Sequence, residues 1–174
     1  ATTAATVAQR DTIEAANNTG ANTYDITDTA ANIATGGNAK VATGQTVTAS
    51  GVTTVSQATT IQAFAKTVAY SVDDEAGAIF GAPTIAMSSA AKVTARGAAG
   101  ADTINLSSKS YALTIIGAAG ADLMSGGVGI DTYGDTNAFA AATLSVIASA
   151  NTLTGGGIAN GDTITFGNGV DRIT

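Results

Sequence analysis

Three stretches of this sequence set a glycine-rich turn beside an aspartate at fixed spacing: GAAGADTIN (97–105), GAAGADLMS (117–125) and GGVGIDTYG (126–134). Each fits G-[GA]-x-G-x-D-x-U-x, where U is a large apolar residue, here Ile104, Met124 and Tyr133. Glycine permits left-handed turn geometry, so carbonyl oxygens can face a cation while the aspartate supplies charge. The chemistry this suits is binding of a hard cation by oxygen. A weaker echo, NGDTITFGNGVDRIT (160–174), carries Asp162 and Asp171 at the nine-residue spacing of Asp122 and Asp131.

Composition narrows the alternatives. The 174 residues include no cysteine and no histidine, which excludes thiolate metal sites, HExxH zinc sites and histidine-based triads within this chain. We therefore expect no enzyme here. Seven basic against thirteen acidic residues give a net charge of −6, the wrong sign for nucleic acid or anionic lipid. Eleven of the acids are aspartates, short and turn-compatible, which favours cation binding in loops over a solvated helix face. No run of eighteen apolar residues exists, so no transmembrane segment is expected. The chain starts on alanine without an apolar signal core and stops inside a recurring pattern, which reads as a segment of something longer.

The nonapeptides resemble those of the RTX (repeats-in-toxin) family, calcium-binding proteins exported by type I secretion; the resemblance covers residues 97–134. It implies that calcium lies between turns stacked on one side, with aspartates about eighteen residues apart. Asp102 and Asp122, separated by twenty, allow such a pair with a two-residue bulge. By the family's pattern the ion takes carbonyls of Gly97, Ala99, Ala118 and Gly120 with both carboxylates. Gly127 and Gly129 are the corresponding glycines of the third motif, read with Asp131 as donors. Asp131 has no acidic same-side partner at 113 or 149. If some twenty-two residues after 134 form an excursion, Asp122 would stack on Asp162 and Asp131 on Asp171.

The elements that position these residues follow from repeats and periodicity. TYDITDTAANIA (23–34) aligns with AYSVDDEAGAIF (69–80), and TVAQRDTIEAA (6–16) with TVSQATTIQAF (54–64), giving two copies of a 46-residue unit. Thr6 with Gln9, and Thr54 with Gln57, fit the capping box that opens a helix. The second helix carries Val55, Ala58 and Ile61 at helical spacing, whereas Arg10 interrupts the first. Asp28 and Asp74 stand where an N-cap would start a further short helix. The stretches 39–55 and 83–97 read as short strands, with Pro83 at a strand start.

The expected fold is mainly β: a right-handed parallel β-solenoid, or calcium β-roll, with a few short helices in the N-terminal repeats. Residues 1–95 would hold the two repeats, 96–134 the RTX β-roll, and 135–174 its degenerate continuation. The expected function is a calcium-stabilised structural and assembly module of an extracellular bacterial surface protein, such as a surface layer, adhesin or filament. Identical chains or repeats are the expected partners, with cell-surface polysaccharide a further candidate. The alternative is the carboxy-terminal RTX secretion region of a secreted enzyme.

Overall fold

A computed structural model describes residues 3–16, 20–99, 102–117, 122–127 and 131–134, with short strands at 143–145, 152–153, 163–165 and 172–173. Helices α1 (Val7–Ala15) and α3 (Val55–Gln62) open on the two capping boxes read from the sequence. Thr6 Oγ1 accepts from the Gln9 amide at 3.1 Å, and Gln9 Oε1 accepts from the Thr6 amide at 2.9 Å. Thr54 and Gln57 repeat the exchange at 3.3 and 3.0 Å. Each box satisfies two amides that a helix start leaves without internal partners.

Strand β1 (Ile26–Thr29) runs into α2 (Ala30–Val41), and β3 (Val72–Glu75) into α4 (Ala76–Gly81), as the repeat demands. Gly37 breaks α2 with φ 73° and ψ 173°. Forty-six residues later Pro83, with φ −59°, separates α4 from α5 (Thr84–Ser88). Pro83 therefore starts a helix, not a strand. Its fixed φ is pre-organised for a helix entry, and its carbonyl accepts from the amides of Ala86 and Met87. Strands β2 (Val47–Ser50) and β4 (Val93–Arg96) complete the two units.

Beyond residue 97 the described chain is short strands: β5 (Thr103–Asn105), β6 (Thr114–Ile116), β7 (Leu123–Ser125), β8 (Thr132–Gly134), β9 (Thr143–Ser145), β10 (Thr152–Leu153), β11 (Thr163–Thr165) and β12 (Arg172–Ile173). They alternate between two sheets, ordered β12-β10-β8-β6-β4-β3 and β11-β9-β7-β5, while β1 pairs with β2. All pairings are parallel. Register places Ala95, Ile115 and Tyr133 in one column, and Ile104 and Met124 in another. These are buried, as the motif's apolar position requires, and Ile33, Ile61, Ile79 and Met87 bury the helices against the same core. Burial of each isoleucine or methionine among them contributes about 1.5–3 kcal/mol.

The expectation of a mainly β solenoid or roll is corrected. The molecule is mixed α/β, with five helices among the described residues and short parallel strands gathered in small sheets. The physical reason lies in the first ninety residues. There the capping boxes and alanine-rich stretches without period-two alternation favour helix: the short helix expected after Asp28 runs on to Val41, and 84–88 forms a helix where a strand was expected. Among the described residues no helix is long and apolar enough to cross a membrane.

Candidate functional site

The three glycine–aspartate motifs share one local geometry. Asp102, Asp122 and Asp131 each lie five residues after a glycine, and each carboxylate occupies the space a Cβ on that glycine would need. Gly97 faces Asp102, Gly117 faces Asp122, and Gly126 faces both Asp131 and the Tyr133 hydroxyl. Only glycine allows the acid to fold back so closely over its own turn. Asp102 Oδ2 accepts from the Ala98 amide at 2.7 Å. Ala99 is exposed on this turn and Gly97 half-buried.

Two of these carboxylates reach the preceding pass of the chain. Asp122 Oδ1 accepts from the Asp102 amide at 2.9 Å, so these two aspartates are neighbours on successive passes, and β5 pairs with β7 in the matching register, Thr103 opposite Leu123. Asp131 Oδ1 accepts from the Leu113 amide at 3.0 Å, and the Gly127 amide also bonds this carboxylate. Asp122 and Asp131 are buried, at 3% and 0% exposure, whereas Asp102 is half-buried. Burial pushes the Asp131 carboxyl up to about 6, against the lowering effect of the Leu113 and Gly127 amides.

Asp28 and Asp74 perform the same task in the helical units. Asp28 Oδ2 accepts from the amide of Val7, the first residue of α1, at 3.0 Å; Asp74 Oδ2 accepts from Val55, the first of α3, at 2.9 Å. Each thus serves a helix that begins about twenty residues upstream, and Thr29, not Asp28, caps α2. Asp28 Oδ1 also accepts from Thr29 and from Asn32 Nδ2, both at 2.8 Å. Burial pushes this carboxyl up, but the bonds from Asn32, Val7 and Thr29 outweigh it and hold it below the usual carboxylate range.

Of the residues the sequence singles out as metal ligands, Ala118, Gly120, Gly129, Asp162 and Asp171 lie outside the described residues. Gly127 is described, and its close neighbours are the Lys109 and Leu106 carbonyls, which leave no room for a Cβ. Sequence reasoning passed over Lys109 and Leu106, which carry no motif. Strand β9 lies between β7 and β11, and β10 between β8 and β12. The strands that follow Asp122 and Asp162 are therefore not neighbours, nor are those that follow Asp131 and Asp171. No three acidic side chains converge among the described residues. No family model, no curated protein and no solved structure matches the chain.

Proposed function

We propose that this chain is a calcium-stabilised structural and assembly module of an extracellular bacterial surface protein. The observation that carries this reading is the adjacency of Asp102 and Asp122 on neighbouring glycine turns, the later carboxylate buried and bonded to the amide of the earlier residue. The donor set fits calcium: carboxylate and main-chain oxygens, with Gly97 and Gly117 leaving room for the carboxylates, and no competing histidine or thiolate. Asp102 and Asp122 would hold the ion together with main-chain carbonyls of 97–99. When bound, calcium supplies positive charge between two turns that each present a carboxylate. The resemblance of 97–134 to RTX motifs supports the same assignment, and with it export by type I secretion.

A structural role is favoured by what the aspartates do. Four of them tie one pass of the chain to an amide 18–21 residues earlier, at Val7, Val55, Asp102 and Leu113. Such side chains hold passes in register, and parallel strands added one after another offer edges suited to assembly with identical chains.

The test is a calcium titration followed by circular dichroism and thermal melting, with chelator reversal and light scattering on the same samples. We expect a calcium-dependent rise in melting temperature and β content, reversed by chelator, and growth in particle mass. Identical melting curves in calcium and chelator would remove the metal from the reading. A constant monomer mass at all concentrations would remove assembly.

A further inference from the structure

We infer that Lys109 is the positioning residue that couples the helical half of the molecule to Gly127 and Asp131. Lys109 lies between β5 and β6 and is buried, at 9% exposure, an uncommon place for a lysine. Its Nζ donates to the Phe80 carbonyl at 2.7 Å and sits 5.6 Å from the centre of the Phe80 ring. Phe80 belongs to the last turn of α4, whose carbonyls lack partners within the helix and carry the negative end of its dipole. A cation there completes the helix end, and its position over the ring face adds a cation–π attraction.

The backbone of the same residue acts in the opposite direction. Its amide donates to the Leu106 carbonyl at 3.0 Å, closing a turn that Asn105 reinforces by accepting from the Ser107 amide and hydroxyl. Leu106 in turn donates to the Ser125 carbonyl at 2.8 Å. The Lys109 and Leu106 carbonyls press on Gly127, and the Gly127 amide bonds the Asp131 carboxylate. One connected path of contacts therefore runs from Phe80 in α4 through Lys109 and Gly127 to Asp131, joining residues 51 positions apart in sequence (131 − 80).

Its placement gives this path its importance. On one side of the molecule β3, β4, β6 and β8 form a continuous sheet across the boundary between the halves. On the other side helices give way to strands, and the lysine bridges that change of element. When the 106–111 turn is set by α4, the Lys109 and Leu106 carbonyls are fixed against Gly127, whose amide holds Asp131; when it is not, two carbonyls lose those positions. Coupling of this kind is reciprocal. It involves no metal, so it stands or falls apart from the calcium reading.

The test is hydrogen exchange followed by mass spectrometry on the full chain, in chelator and again in calcium. Loss of a hydrogen bond from a charged group speeds exchange about ten- to hundredfold. We expect Lys109→Met to show that increase in residues 123–134 as well as in 76–81, and Lys109→Arg, which keeps a cationic donor, to recover part of it. Gly127→Ala should raise exchange in 76–81 in return. An effect of Lys109→Met confined to 76–81, or unaltered α4 exchange in Gly127→Ala, overturns the inference. Should the variants not fold, the wild type decides: under rising urea the two segments open together if coupled, and at separate concentrations if not.

Discussion

At the residue scale, the aspartates differ less by motif than by how their charge is met. Asp28 is buried, yet three N–H donors hold it below the usual carboxylate range. Its stabilising contribution is fully present above the unfolded carboxylate value of about 3.9 and is lost as pH falls through the lower folded value. Asp28→Ala should cost about 1–3 kcal/mol in urea unfolding at pH 7, because it strands the Val7 amide. The gap between wild type and Asp28→Asn should narrow as pH drops toward 3; a constant gap would mean that the charge plays no part. Asp131 has the opposite sign. Its folded value near 6 lies above the unfolded one, so it contributes stability below about pH 4 that is lost as pH rises through 6. Gly126 shows what holding that acid requires. Gly126→Ala would drive a methyl into the Asp131 carboxylate and the Tyr133 hydroxyl, at a cost of about 1–3 kcal/mol by chemical denaturation.

At the element scale, the capping boxes were legible because the signal is local: four residues specify both partners of each exchange. The motif's apolar positions were legible for the same reason, since a three-residue strand buries its centre, as Ile104, Met124 and Tyr133 do. The adjacency of Asp102 and Asp122 was legible only through the RTX resemblance, which sets same-side aspartates about eighteen residues apart and accommodates their spacing of twenty with a bulge. Asp28 and Asp74 were misassigned to the helix that follows them because their partners lie in earlier passes, and no local pattern marks a bond to residue 7 or 55. The helix over 84–88 was hidden by Pro83, whose equivalence to the Gly37 break appears only once both units are built. Two opposite residues thus solve one problem, and they should respond differently. Gly37→Ala puts a side chain at φ 73°, ψ 173°, a region open essentially to glycine, and should cost about 1–3 kcal/mol by thermal or urea melting. Pro83→Ala, with φ already at −59°, should cost less than about 1 kcal/mol.

At the scale of the whole molecule, net charge offers a second route by which calcium could stabilise the fold, and the two must be separated. A chain of charge −6 repels itself, and any added salt relieves that repulsion as the screening length shrinks to about 10 Å at 0.1 M. Screening depends on ionic strength and is blind to the identity of the cation beyond its charge. The proposed binding by Asp102 and Asp122 would depend on oxygen donors that suit calcium better than the smaller, more tightly hydrated magnesium. At matched ionic strength, calcium at ten times its dissociation constant should therefore add about 1.4 kcal/mol per site beyond the effect of sodium or magnesium chloride. Asp122→Asn should abolish this increment and leave the response to sodium chloride unchanged, because one charge among thirteen acids barely alters the overall field. Asp11→Asn, which removes the same charge from the distant pair with Lys40, should leave the calcium increment intact. Equal shifts in calcium, magnesium and sodium at matched ionic strength would assign the whole effect to screening.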